Sequence, residues 1–143
     1  SIMIIDETDN ADYFLYKYNL SKKDQNRIKI ISNFYKDKIN LASFTEKNMN
    51  KILYYNGKQA VLDILKYNIF RVKKSNHKNI NDLIKLFKSK NIPLMPIKAD
   101  LLMSKFNFSE GRSLGNKLKL IEKEWVENNF QISDQQVENI INN

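Results

Sequence analysis

A chain of 143 residues with 42% hydrophobic and 11% aromatic residues can bury an ordinary core and is too apolar for intrinsic disorder. It contains no cysteine, which excludes disulfides and fits a cytoplasmic origin, and no apolar run approaches the roughly 18 residues of a membrane span. The net charge of +8, from 24 Lys and Arg against 16 Asp and Glu, points to a polyanionic partner. Arginine occurs only as Arg27, Arg71 and Arg112, and a Lys-, Asn- and Ile-rich chain of this kind also follows from AT-rich coding.

In chain order, "SIMII" is too short for a signal-peptide core and no Met precedes Ser1, so the chain reads as a piece of a longer protein. Asp6, Glu7 and Asp9 form a short acidic run, read as a solvated segment rather than a metal site. Asn10 to Tyr18 has the pattern of a short amphipathic helix. Ser21 with Asp24 three residues on marks the start of a longer one, whose apolar residues Ile28, Ile31, Phe34 and Tyr35 share a face. A further helix is expected from Ser43–Glu46 to Tyr55, broken by the Asn56–Gly57 pair. The stretch 58–74 is apolar on more than one side and reads as the central helix. His77, the single histidine, falls in an expected polar linker before another amphipathic helix capped by Asn79 or Asn81.

Pro93 and Pro96, the only prolines, predict an extended connector. A short helix from Lys98 to about Lys105, a loop over 107–111 and a long helix to about Asn129 follow. Ser133 and Gln136 have the spacing of a second capping box. The expectation is an all-α fold: a helical body over 1–92, then a C-terminal helix–loop–helix tail over 93–143. No Walker or Rossmann glycine loop is present. One histidine and no cysteine leave neither an ordinary zinc site nor a His-activated nucleophile. No catalytic residue, metal ligand or cofactor is expected in this chain.

Two of the three glycines lie four residues apart in "SEGRSLGNKLKLIEKEW" (109–125). Ser109 is placed to cap the helix, with Gly111 in its first turn, where unpaired N–H groups attract phosphate oxygens. Leu114, Leu118, Ile121 and Trp125 form an apolar stripe, and Arg112, Asn116, Lys119 and Lys123 repeat the same spacing on the other side. With Gly115 allowing close approach, these residues are the candidate phosphate contacts: Ser109, Gly111, Arg112, Gly115, Asn116, Lys119 and Lys123. A contact of this kind suits a sugar–phosphate backbone rather than base edges. The opposed expectation is a helical protein-interaction module whose basicity is only compositional.

"PIKADLL" followed by "SEGRSLGNKLKLIEKEWVENNF" resembles the C-terminal region of bacterial CCA-adding tRNA nucleotidyltransferases and related poly(A) polymerases. The matching residues are Pro96, Asp100, Leu101, Leu102, Gly111, Leu114, Gly115, Leu118, Lys119, Glu122 and Trp125. "ILYYNGKQAVLDIL" and "YNLSKKDQNRI" are similar to upstream stretches of the alphaproteobacterial branch. Ala99 stands where the family has Gly, and Glu110 and Arg112 stand at usual Pro positions. The family's Gly-Ser and Asp-x-Asp catalytic motifs are absent from the chain. The resemblance therefore implies the part of such an enzyme that holds tRNA or other RNA, with 1–92 as its RNA-binding body and 93–143 as its tail. Magnesium and ATP or CTP would belong to an N-terminal head domain of the same protein, and no membrane partner is implied.

Overall fold

A computed structural model describes residues 10–36, 43–71 and 77–142, with side chains described from Tyr13 onward. Among these residues it is all-α, with seven helices and no strand: α1 (Asn10–Tyr18), α2 (Lys22–Lys36), α3 (Glu46–Arg71), α4 (His77–Ser89), α5 (Ala99–Phe106), α6 (Arg112–Glu127) and α7 (Asp134–Asn142). The chain divides into two compact units, Ser1–Ile92 and Pro93–Asn143, with non-helical backbone from Lys90 to Lys98 around the two prolines. None of the described helices is long and apolar enough to cross a membrane. The acidic run 6–9 lies outside the described residues.

Local chemistry sets three of the seven described helix starts. The Ser21 Oγ accepts the Asp24 N–H at 3.2 Å and opens α2, while Thr45 does the same for Asn48 at the start of α3. At α7 the exchange is reciprocal: Ser133 Oγ accepts the Gln136 N–H, and Gln136 Oε1 accepts the Ser133 N–H. The start of α4 departs from expectation. His77 opens that helix instead of lying in a linker, and Asn79 and Asn81 sit inside it, so neither is its cap. Burial of Ile80, Ile84 and Phe87 on α3 decides the helix, and that long-range contact outweighs the weak capping preference of the asparagines.

In the 1–92 unit α3 packs against both α2 and α4, as a helix apolar on several sides must. One cluster joins Leu15, Ile28, Ile31, Tyr35, Ile64 and Tyr67, and a second joins Met49, Leu53, Val61, Leu65, Ile84 and Phe87. The expected break at Asn56–Gly57 is a kink inside α3, where Gly57 takes φ 84° and ψ 169°. That region is essentially reserved for glycine. In the 93–143 unit α6 packs against α5 and α7 around Leu102, Leu114, Ile121 and Val137.

Tyr35 shows what this packing does to a polar group. It is 5% exposed, meets Tyr67 edge-on at 4.9 Å and donates its hydroxyl hydrogen to the Ile64 carbonyl at 3.3 Å. Burial pushes the phenol pKa well up; Arg71 opposes this and Tyr67 adds to it. The folded-state pKa therefore lies above the unfolded value of 10.0. The contribution of the neutral phenol is complete below pH 10 and is lost as pH rises further, at about 1.4 kcal/mol per unit. Denaturant melts between pH 9 and 11.5 should show the parent losing stability above pH 10 by that much more than Tyr35→Phe. Parallel curves for the two proteins would show that the phenol is not held neutral.

Candidate nucleic-acid interface

The α6 helix separates its two faces cleanly. Leu114, Ile121 and Trp125 are buried and Leu118 is half-buried against the same cluster. On the other side Arg112, Asn116, Lys119 and Lys123 are all exposed, and none of them makes a hydrogen bond or ion pair with a described residue. The same side carries no carboxylate between Glu110 and Glu127. Lys117 is differently occupied: its Nζ donates to the Ile140 carbonyl at 2.8 Å, tying α6 to the last turn of α7, where a cation also meets the negative helix end.

The entrance of α6 corrects the expected capping. The helix begins at Arg112, Gly111 is the residue before it, and no side chain caps it. Ser109 lies two residues further out, exposed and too early to serve as the cap. The first-turn N–H groups are thus left without a side-chain acceptor, with exposed Glu110 beside them.

The glycines also part company. Gly111 has φ 148° and ψ −170°, a glycine-only conformation, so its role is to let the chain enter the helix. Gly115 is helical, and a Cβ built there meets nothing within 4 Å. Close helix–helix packing therefore does not require it. Gly115→Ala should stabilise the 93–143 unit by about 1 kcal/mol, the ordinary advantage of alanine within a helix. Gly111→Ala should cost about 1–3 kcal/mol through backbone strain. Melting curves of the two variants check both signs; a destabilised Gly115→Ala would mean that the position is tighter than its surroundings show.

A second stripe in the 1–92 unit has the spacing of the first. On α2, Lys22, Asn26, Lys29 and Asn33 recur at i, i+4, i+7 and i+11, all are exposed, and Lys36 continues the row. The single carboxylate of α2, Asp24, lies off this row and faces Ser21 and Arg27. In the sequence this row is marked only by the period of its Lys and Asn residues, a weaker signal than the apolar face of the same helix, Ile28, Ile31 and Tyr35.

The charge balance also differs between the units. The 1–92 unit holds 18 of the 24 Lys and Arg residues and nine of the 16 Asp and Glu, leaving six and seven for the 93–143 unit. The excess of positive charge thus belongs wholly to the first unit, whereas the seven candidate residues all lie in the second.

The two upstream stretches of the resemblance meet in space. Arg27, at the end of "YNLSKKDQNRI", pairs with Asp63, in "ILYYNGKQAVLDIL", through Nε at 2.7 Å and Nη2 at 3.0 Å, a fork-to-fork contact. Gln59 donates to the same carboxylate at 2.8 Å. Asp63 is buried, and its hydrogen bonds raise the Arg27 pKa above the ordinary value despite partial desolvation. The pair is a structural tie between α2 and α3. Compared with known proteins, the chain matches no family model, no curated protein and no solved structure.

Proposed function

We propose that this chain binds RNA through its phosphates, as the RNA-holding part of a nucleotidyltransferase of the CCA-adding or poly(A)-polymerase kind. The observation that carries the reading is the pair of exposed stripes, Lys22–Asn26–Lys29–Asn33 on α2 and Arg112–Asn116–Lys119–Lys123 on α6. Cations and amides that follow one another at one-turn spacing track a phosphate backbone, the asparagine amides donating to phosphate oxygens without reading base identity. The strongly basic 1–92 unit supplies long-range attraction, and the near-neutral 93–143 unit adds a local contact. Among the residues that carry the resemblance, Leu102, Leu114 and Trp125 serve the core and Pro96 and Gly111 shape the backbone, while Lys119 is exposed and has no packing role to account for it. In this reading nucleotide transfer, with its magnesium and ATP or CTP, belongs to a head domain that this chain does not contain.

Titrating the chain with tRNA at several salt concentrations tests the proposal. Each phosphate neutralised contributes roughly 0.7–0.9 to the log–log slope, so a slope of about two to four is expected. Lys22→Gln with Lys29→Gln, and separately Lys119→Gln with Lys123→Gln, should each lower that slope by about 1.5 without unfolding the protein. A slope near zero, or no binding at low salt, would favour the protein-interaction module instead.

A further inference from the structure

We infer that the outward face of α1 is a stacking platform for unpaired RNA bases. This rests on the RNA-binding reading above, but apart from Lys22 it uses residues that the phosphate stripes do not. Helical geometry turns Phe14 and Leu15 inward, where Leu15 is buried in the first core cluster and Phe14 packs against it. Tyr13, Tyr16 and Lys17 then share the opposite face. Tyr13 is 63% exposed and Tyr16 is 88% exposed, so two large rings that could have been buried stand in water on the same short helix.

The setting of these rings favours a nucleic acid over a purely apolar partner. The Lys17 Nζ lies 5.8 Å from the ring centroids of both Tyr13 and Tyr18, a cation placed among ring faces. Lys22 and Lys23 follow immediately after the α1–α2 turn, and both are exposed. In sequence, the acidic residues Asp6, Glu7, Asp9 and Asp12 all precede Tyr13, whereas Lys17, Lys22 and Lys23 all follow it. A strand running from the rings toward α2 would thus meet cations at its phosphates and aromatic faces at its bases. Aromatic rings interleaved with lysines are what an unpaired strand requires, because every base has a face to stack and only its phosphates need charge. A continuous duplex would keep its bases stacked on one another and leave these rings unused.

The test compares two labelled oligonucleotides by fluorescence anisotropy: a single-stranded 12-mer of RNA and the same backbone with abasic sites throughout. The full chain should bind the base-bearing strand at least about fivefold more tightly than the abasic one. Tyr13→Ala with Tyr16→Ala should abolish that preference, whereas Tyr13→Phe with Tyr16→Phe should keep it, because stacking needs the ring and not the hydroxyl. Lys22→Gln with Lys29→Gln should weaken both oligonucleotides alike and leave their ratio unchanged. Both tyrosines are exposed, so the variants should melt with the parent. Equal binding of the two oligonucleotides by the parent, or a preference that survives removal of both rings, would overturn the platform while leaving phosphate binding intact. Failure of the parent to bind either oligonucleotide at low salt would overturn the platform together with the RNA reading on which it rests.

Discussion

Trp125→Ala should lower the stability of the 93–143 unit by about 3–5 kcal/mol, the usual range for deleting a buried indole. Trp125 is 2% exposed and extends the Leu114–Leu118–Ile121 stripe, and its ring lies 5.0 Å from that of Phe130. Phe130 itself has φ 65°, unusual for a bulky residue, and its N–H reaches back to the Trp125 carbonyl at 2.8 Å. Loss of the indole therefore removes the ring contact that accompanies this turn as well as filling of the core. Urea unfolding followed by circular dichroism would measure the loss. RNA affinity measured well below the new melting temperature should be unchanged, because the residue faces away from the α6 cations. A variant of full stability that had lost RNA binding would mean that the two faces of α6 are assigned the wrong way round.

Arg27→Ala should destabilise the 1–92 unit by about 2–4 kcal/mol. The change removes both hydrogen bonds of the fork and leaves the Asp63 carboxylate, 5% exposed, with Gln59 as its remaining side-chain donor among the described residues. A buried charge left without its counterion is the costly outcome, more so than the pair is worth in itself. The figure is kept below that of a fully buried pair because the Arg27 side chain is 40% exposed and water can reach part of the vacated space. Arg27→Lys should recover only part of the loss, since a single ammonium cannot make two parallel bonds to one carboxylate. Arg27→Met combined with Asp63→Leu should come back close to the parent, because no uncompensated charge then remains. Equal melting of Arg27→Ala and the parent would show that the tie carries no net energy.

What the sequence by itself determined was whatever depends on neighbours within about one helical turn. The serines that open α2 and α7 could be read from the residue three positions on, and the prolines at 93 and 96 marked the non-helical connector from the ring's fixed φ and missing N–H. The apolar stripe of α6 and its opposed cations followed from spacing alone, as did the all-α class. Tertiary structure decided the rest. Arg27 and Asp63 are 36 residues apart, so only the packing of α2 on α3 could show that one answers the other. Asn79 and Asn81 had capping chemistry, yet burial of Ile80 and Ile84 drew them into α4. Gly111 and Gly115 look alike as letters. The first holds a backbone conformation closed to other residues and the second has open space around it, a difference set by φ, ψ and surrounding atoms rather than by residue type. Likewise, Tyr13, Tyr16 and Tyr35 are the same residue in helices of similar pattern. Two stand in water and one is buried, because a helix's neighbours, not its own periodicity, decide which of its faces is covered.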